Sequence, residues 1–340
     1  MDRIGFILTS PCSGGERIGS WLSARRSVFV TENTLFGRFC ELWPDDRGQM
    51  LPAITVDRFV TEWSRSARLG PLRMNRVDFQ QRFLDELVAL IVDFGLRHSG
   101  RRSMIDLVMP FPGTLGAVES GLAGRLPDAP RLKLIRDGRD VLVDQAFRWL
   151  LRDTHGTNRY AFFVERRPLK LTRFLDDAFL DRWGRLWNDL ARSPMTAPDG
   201  SPIERLRYED WVAAPADALV RLSTHFGLED LPAASDESAP TTGDSSSSPT
   251  AQASGATEPS TAARQDRMLL RVRKIAAPYR TAVGAWRELF TREDGRRLQD
   301  LAGPALIEHG YVDDPKWFLA LPEVLDPAKL EAIAKSGDDA

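Results

Sequence analysis

Arg131-Leu132-Lys133-Leu134-Ile135-Arg136-Asp137-Gly138-Arg139-Asp140-Val141-Leu142-Val143-Asp144-Gln145 is the stretch on which the reading of this chain turns. From Arg131 to Ile135 basic and apolar residues alternate, the pattern of a short buried strand. Val141, Leu142, Ala146, Trp149 and Leu150 then recur at helical spacing, so a strand feeds directly into a helix. Asp137 stands where the helix needs an N-cap, with Asp140 three residues on. The turn therefore brings backbone N–H groups and two arginines, Arg136 and Arg139, to the carboxyl end of the strand. Open α/β folds bind anions at such places.

The same alternation of elements extends outward in both directions. Arg3 to Thr9 reads as a first strand, Ser10-Pro11-Cys12-Ser13-Gly14-Gly15 as a tight loop and Glu16 to Ala24 as a helix, a phosphate-binding arrangement. Val28 to Thr31 reads as a second strand, followed by helices over Val56–Ala67 and Val77–His98. Met104 to Met109 is a third strand, closed by Pro110-Phe111-Pro112, and a helix near Leu115–Leu126 leads back to the opening stretch. Beyond it come a helix over Phe174–Leu190, a last strand over Ile203–Arg207 with Tyr208-Glu209-Asp210 at its end, and a helix over Pro215–Phe226. Strands alternating with helices predict an α/β fold, a P-loop-like parallel sheet flanked by helices on both faces. Trp183 and Trp187, four residues apart, read as a core stripe.

The chain has 340 residues, 42% of them hydrophobic, ample for a substantial core. Lys and Arg number 46 against 48 Asp and Glu, a net charge of −2. No global field favours nucleic acid or an anionic membrane, so any anion site is local. Six of the bases are lysine; arginine's forked donors suit phosphate or sulfate, and a GC-rich genome gives the same bias. Cys12 and Cys40 form no disulfide framework and no metal spacing, which points to a reducing compartment. The apolar run Ile4–Leu8 is too short for a signal peptide, and Asp85, Glu86 and Asp93 interrupt the longest apolar segment, Leu84–Leu96. These features predict a cytoplasmic protein without a membrane span. From Ala233 to Arg264 the composition turns to Ser, Thr, Ala, Pro, Gly and Asp, read as a disordered insertion over 233–264 within a single domain spanning 1–340.

Four pieces now stand in order: Pro11-Cys12-Ser13-Gly14-Gly15, Ile135-Arg136-Asp137-Gly138-Arg139-Asp140-Val141, Arg207-Tyr208-Glu209-Asp210-Trp211, and Arg280-Thr281-Ala282-Val283-Gly284-Ala285-Trp286. Together they resemble the sulfotransferase family, whose sulfuryl donor is 3′-phosphoadenosine 5′-phosphosulfate. The resemblance implies that Pro11, Ser13 and Gly14 belong to the 5′-phosphosulfate loop, and that Arg136, Arg280 and Gly284 meet the 3′-phosphate. It also implies that Tyr208 lies by the adenine. A donor co-substrate without a metal is implied too, with a small-molecule, lipid or saccharide acceptor and no nucleic-acid partner.

The chain departs from the family pattern at identifiable positions. Cys12 stands where the loop has a basic residue, and Gly15 and Glu16 where it has two threonines; Arg17, one turn on, is the cation that takes over. Asp144 stands where a serine follows the arginine by eight residues. A carboxylate ~4 Å from a phosphate charge is repelled by about 4 kcal/mol at an effective dielectric of ~20. Asp144 also has Arg148 at i+4 as a pairing partner, and Arg136 has nearby Asp residues. Sulfuryl transfer needs positioning, charge stabilisation and a base, and Asp106 is the carboxylate at hand for that last role. The expected activity is sulfuryl transfer to a hydroxyl or amine. The alternative is a catalytically impaired sulfotransferase-like module that binds or regulates.

Overall fold

A computed structural model of the chain describes residues 4–32, 76–110, 115–116, 118–119, 122, 126–150, 157–193, 195–197, 199–228 and 261–337. In chain order the elements are β1 (Ile4–Thr9), α1 (Gly15–Ser23), β2 (Val28–Glu32), α2 (Arg76–Ser99), β3 (Ser103–Val108), β4 (Arg131–Ile135), α3 (Gly138–Arg148), α4 (Asn158–Phe163) and α5 (Asp177–Ala191). There follow β5 (Glu204–Arg207), α6 (Tyr208–Ala213), α7 (Pro215–Phe226), α8 (Thr261–Thr281), α9 (Arg292–Glu308) and α10 (Pro327–Lys335), with 3-10 turns at Ala285–Glu288 and Trp317–Ala320. Two compact units emerge: Met1–Arg136 with Arg185–Leu231, and Asp137–Gly184 with Pro232–Ala340.

The first unit carries a five-stranded sheet in the order β2-β3-β1-β4-β5, each neighbouring pair parallel. As the central strand, β1 is buried along its whole length, which is why it is apolar without a break. Successive side chains alternate between two covered faces. Ile4, Phe6 and Leu8 pack with Met104, Val108, Leu96, Leu122 and Leu190, whereas Ile7 packs with Ile18, Leu22, Trp211 and Leu222 on the other side. Helices on both faces of a parallel sheet are the architecture expected from the alternation of elements.

The alternation in β4 has a different cause from ordinary solvation. Arg131 and Lys133 are 3% and 2% exposed. Arg131 donates to the carbonyls of Leu122, Leu126, Pro127 and Thr196, and Lys133 to those of Ala191 and Ser193. Lys133 thus meets carbonyls at the carboxyl end of α5, where the macrodipole favours positive charge.

In the second unit, Phe147 of α3 stacks on Tyr279 of α8 with centroids 4.7 Å apart and packs against Phe163 and Phe174. Trp183 lies against Trp149 in the same unit, and in the first unit Trp187 is 2% exposed; both are core residues as expected. At the start of α9, Thr291 and Asp294 form a capping box, and Arg173 pairs with Asp294 at 2.7 Å.

Several boundaries move. The helix expected from Phe174 begins at Asp177, because Phe174 and Leu175 are core residues and Asp176 accepts from the Phe179 N–H as a cap. The last four residues of the insertion expected over 233–264 are helical. Thr261 already opens α8, and Ala262-Ala263-Arg264-Gln265 are good helix formers. The rest of that insertion, the helix expected over Val56–Ala67 and Cys40 lie outside the described residues.

Candidate functional site

The chain leaves β1 at Thr9 and turns within four residues. The Ser13 N–H donates to the Ser10 carbonyl at 3.1 Å, and the two serine hydroxyls hydrogen-bond to each other. Cys12 and Gly14 both take left-handed backbone conformations, φ 68° and 90°. At Gly14 a side chain is excluded twice over: by that φ, and because a Cβ would run into the Tyr208 ring. Cys12 has no such freedom, and its conformation is fixed from outside: Arg136 Nη1 donates to its carbonyl at 2.8 Å. The N–H groups of Arg17 and Ile18 reach back to the Gly14 carbonyl. Those ahead of them in α1 have no intrahelical acceptor and form the positive end of the helix.

Three side chains surround this loop. Arg136, fully buried, lies over the Tyr208 ring at 4.9 Å, and its own carbonyl accepts from Trp187 Nε1 at 2.9 Å. Tyr208, also without exposed surface, opens α6 directly after β5. Arg17 is half-buried, and its Nη1 donates to the Tyr208 hydroxyl at 3.3 Å. Among the described residues Arg17 has no carboxylate partner. A guanidinium in the first turn of a helix is disfavoured by the macrodipole by about 0.3–1 kcal/mol, so an anion at the loop relieves both conditions. Pro11, Cys12, Ser13, Gly14, Gly15, Glu16, Arg17, Arg136 and Tyr208 are thus neighbours within one unit. Glu16 is exposed beside them.

The second unit holds the other expected residues. The Asp137 carboxylate caps α3, accepting from the Arg139 N–H at 3.0 Å, as its position predicted. Arg139, brought by the turn to the carboxyl end of β4, is buried there and already engaged. Its guanidinium is bidentate on Asp137, donates to the Tyr311 carbonyl and lies between Trp286 at 3.9 Å and Trp317 at 4.8 Å. Asp140, 1% exposed, accepts from the backbone N–H of Gly284 at 2.7 Å and of Trp286 at 3.0 Å. It therefore fixes the segment that follows Arg280, a role the sequence reading missed. Gly284 is left-handed at φ 81°, Arg280 is exposed at the end of α8, and Asp144 is buried within α3.

Asp106 sits inside β3, opposite Phe6 of β1 and Thr31 of β2. It is fully buried, and the Thr31 hydroxyl donates to it at 2.7 Å. A cavity of about 500 Å³ lies elsewhere in the first unit, lined by Leu115, Glu119, Leu186, Asn188, Asp189 and Arg192 among others. Among the described residues no group of three His, Cys, Asp or Glu is placed to hold a metal, and no helix is long and apolar enough to cross a membrane.

No protein-family model matches the chain, and no curated protein is similar to it. Among solved structures it is similar to the sulfotransferase domain from the Synechococcus PCC 7002 olefin synthase: 17% identity, 98% of this chain and 93% of that one, TM-score 0.39. It is also similar to the sulfotransferase domain from the curacin biosynthetic pathway (15% identity, 68% and 75%, TM-score 0.38). The mouse sulfotransferase SULT7A1 complexed with PAP gives 12% identity, 68% and 61% coverage and a TM-score of 0.33. These likenesses are slight and carry no functional argument.

Proposed function

We propose that the chain is a cytoplasmic sulfotransferase that moves a sulfuryl group from 3′-phosphoadenosine 5′-phosphosulfate to a hydroxyl or amine of a small-molecule, lipid or saccharide acceptor. One observation carries the reading. The loop from Pro11 to Arg17 presents a helix N-terminus beside an arginine that has no carboxylate partner among the described residues, an arrangement complementary to a sulfate or phosphate ester.

In the transfer, the acceptor oxygen or nitrogen bonds to sulfur as the bond from sulfur to the 5′-phosphate oxygen breaks. Adenosine 3′,5′-bisphosphate leaves, and the acceptor's proton passes to a base. Charge builds on the bridging and equatorial oxygens, where the loop N–H groups and Arg17 stabilise it without reorganising. The four-part motif assigns Arg136, Asp144, Arg280 and Gly284 to the rest of the donor site, and Asp106 to the proton. A base must come within hydrogen-bond reach of the acceptor, and Asp106 is buried in β3 with the Thr31 hydroxyl on one of its oxygens. Sulfation that survives Asp106→Asn at wild-type rate removes that assignment.

The test is calorimetric titration with adenosine 3′,5′-bisphosphate at low salt, then a donor-dependent sulfation assay on a metabolite extract. Binding is expected, and Arg17→Ala is expected to weaken it about tenfold or more, since a charge-assisted hydrogen bond is worth ~1.5–3 kcal/mol. A folded protein that binds none of the nucleotide refutes the proposal. A second reading, a binding or regulatory module without turnover, is favoured by Cys12 in place of the loop cation and by the buried Asp144 carboxylate. Nucleotide binding with no sulfation of any acceptor is its signature.

A further inference from the structure

We propose that Tyr208 is a positioning residue of the anion loop: its hydroxyl holds the Arg17 guanidinium toward the bound anion without neutralising it. The inference rests on the donor-loop assignment under Proposed function and names how that loop keeps its cation. One ring serves three groups in the first unit. It fills the space that Gly14 leaves by having no Cβ, it lies under the Arg136 guanidinium at 4.9 Å, and its hydroxyl accepts from Arg17 Nη1 at 3.3 Å. Through Arg136 the same ring is tied to the Cys12 carbonyl, and so to the left-handed turn of the loop.

The chemistry of the acceptor is what matters. An arginine has five N–H donors and a large rotamer entropy, and a half-buried one without a partner samples many of its rotamers. A carboxylate would hold it but would cancel the charge that the anion needs. A phenol oxygen accepts one N–H, is itself neutral, and leaves the remaining donors and the full positive charge to a ligand. Tyr208 is fully buried and starts α6, so the hydroxyl is in a fixed place. This also differs from the role the family resemblance implies for this tyrosine: its ring lies against the loop and Arg136 rather than standing clear for a base to stack on.

The experiment is a double-mutant cycle on anion affinity, using pyrophosphate and adenosine 3′,5′-bisphosphate as separate probes at low salt, with thermal unfolding of each variant recorded alongside. Tyr208→Phe keeps the ring and removes only the hydroxyl. It is expected to weaken both probes roughly three- to tenfold, the cost of ordering one long side chain at binding, with little change in unfolding temperature. Arg17→Gln is expected to weaken them about tenfold or more. In the Arg17→Gln background Tyr208→Phe is expected to change affinity by less than about twofold, because the two act as one unit. A merely structural role for Tyr208 predicts the opposite, an equal loss in both backgrounds, and that result overturns the proposal.

Arg17→Lys supplies an answer that does not depend on the Phe variant folding. It keeps the charge but has no fork to divide between phenol and anion, so it is expected to recover only a minor part of the affinity lost in Arg17→Gln. Wild-type affinity in Arg17→Lys also overturns the proposal. Binding of pyrophosphate without the nucleotide removes the donor assignment and leaves the positioning role standing; binding of neither removes both.

Discussion

Replacing Asp140 with alanine tests whether a single buried carboxylate holds the segment after Arg280 in place. Asp140 is 1% exposed and accepts two backbone N–H groups, from Gly284 at 2.7 Å and from Trp286 at 3.0 Å. A hydrogen bond to a charged group contributes ~1.5–3 kcal/mol, and a buried donor left without an acceptor costs about 1–3 kcal/mol. The two effects describe the same loss and are not summed; for two bonds to one carboxylate, Asp140→Ala is expected to cost about 3–6 kcal/mol. Asp140→Asn keeps one oxygen and sets an amide N–H₂ against the other donor, and about half of that cost is expected. Urea unfolding followed by tryptophan fluorescence reads both, since Trp286 stands at the perturbed turn and Arg139 lies on its ring at 3.9 Å. A loss below about 1 kcal/mol for the alanine variant would refute the reasoning, as would equal losses for the two variants.

Two further perturbations probe the packing. Arg131→Met removes the buried guanidinium from the carbonyls of Leu122, Leu126 and Pro127, and a loss of about 2–3 kcal/mol in urea unfolding is expected; a neutral result would show that water replaces it without cost. Burial, helped by Glu288, pushes the Tyr279 phenol up to about 12. Because the folded value lies above the unfolded one of ~10, its contribution is complete below pH 10 and is lost as pH rises toward 12. Tyr279→Phe is therefore expected to show a shallower fall in stability between pH 10 and 12 than wild type, checked by urea midpoints at half-unit intervals.

The elements that the sequence marks locally are the ones it marks well. β4 runs from Arg131 to Ile135 and α7 from Pro215 to Phe226, as expected, because a proline at N1 and a left-handed Gly227 at the C-cap delimit the latter. α4 carries a local signal of its own that the pattern of apolar residues hides: the Thr157 side chain accepts from the Tyr160 N–H as an N-cap. The sequence marks the loop residues and Arg136 as candidates, and it does not mark the conformations they adopt beside one another. Cys12 is left-handed because an arginine 124 positions away holds its carbonyl, and no local pattern announces that. Arg139 reads from the sequence as a second arginine at the carboxyl end of the strand; its partners Trp286, Tyr311 and Trp317 lie more than a hundred residues on, so only the folded chain shows that it is already occupied.

The two cations of β4 bear on how the protein responds to ionic strength. Arg131 and Lys133 make their bonds out of contact with water, where mobile ions cannot gather around them. Arg296 on α9, by contrast, meets Glu293 and Asp300 at the surface, where half of each side chain is wet. Raising salt from about 0.01 M to 1 M shortens the screening length from ~30 Å to ~3 Å, which loosens the ladder on α9 and leaves the clasp on β4 untouched. Tolerance to salt is therefore unevenly distributed along the chain: the bonds of β4 persist at concentrations where the ion pairs on the surface of α9 are already screened.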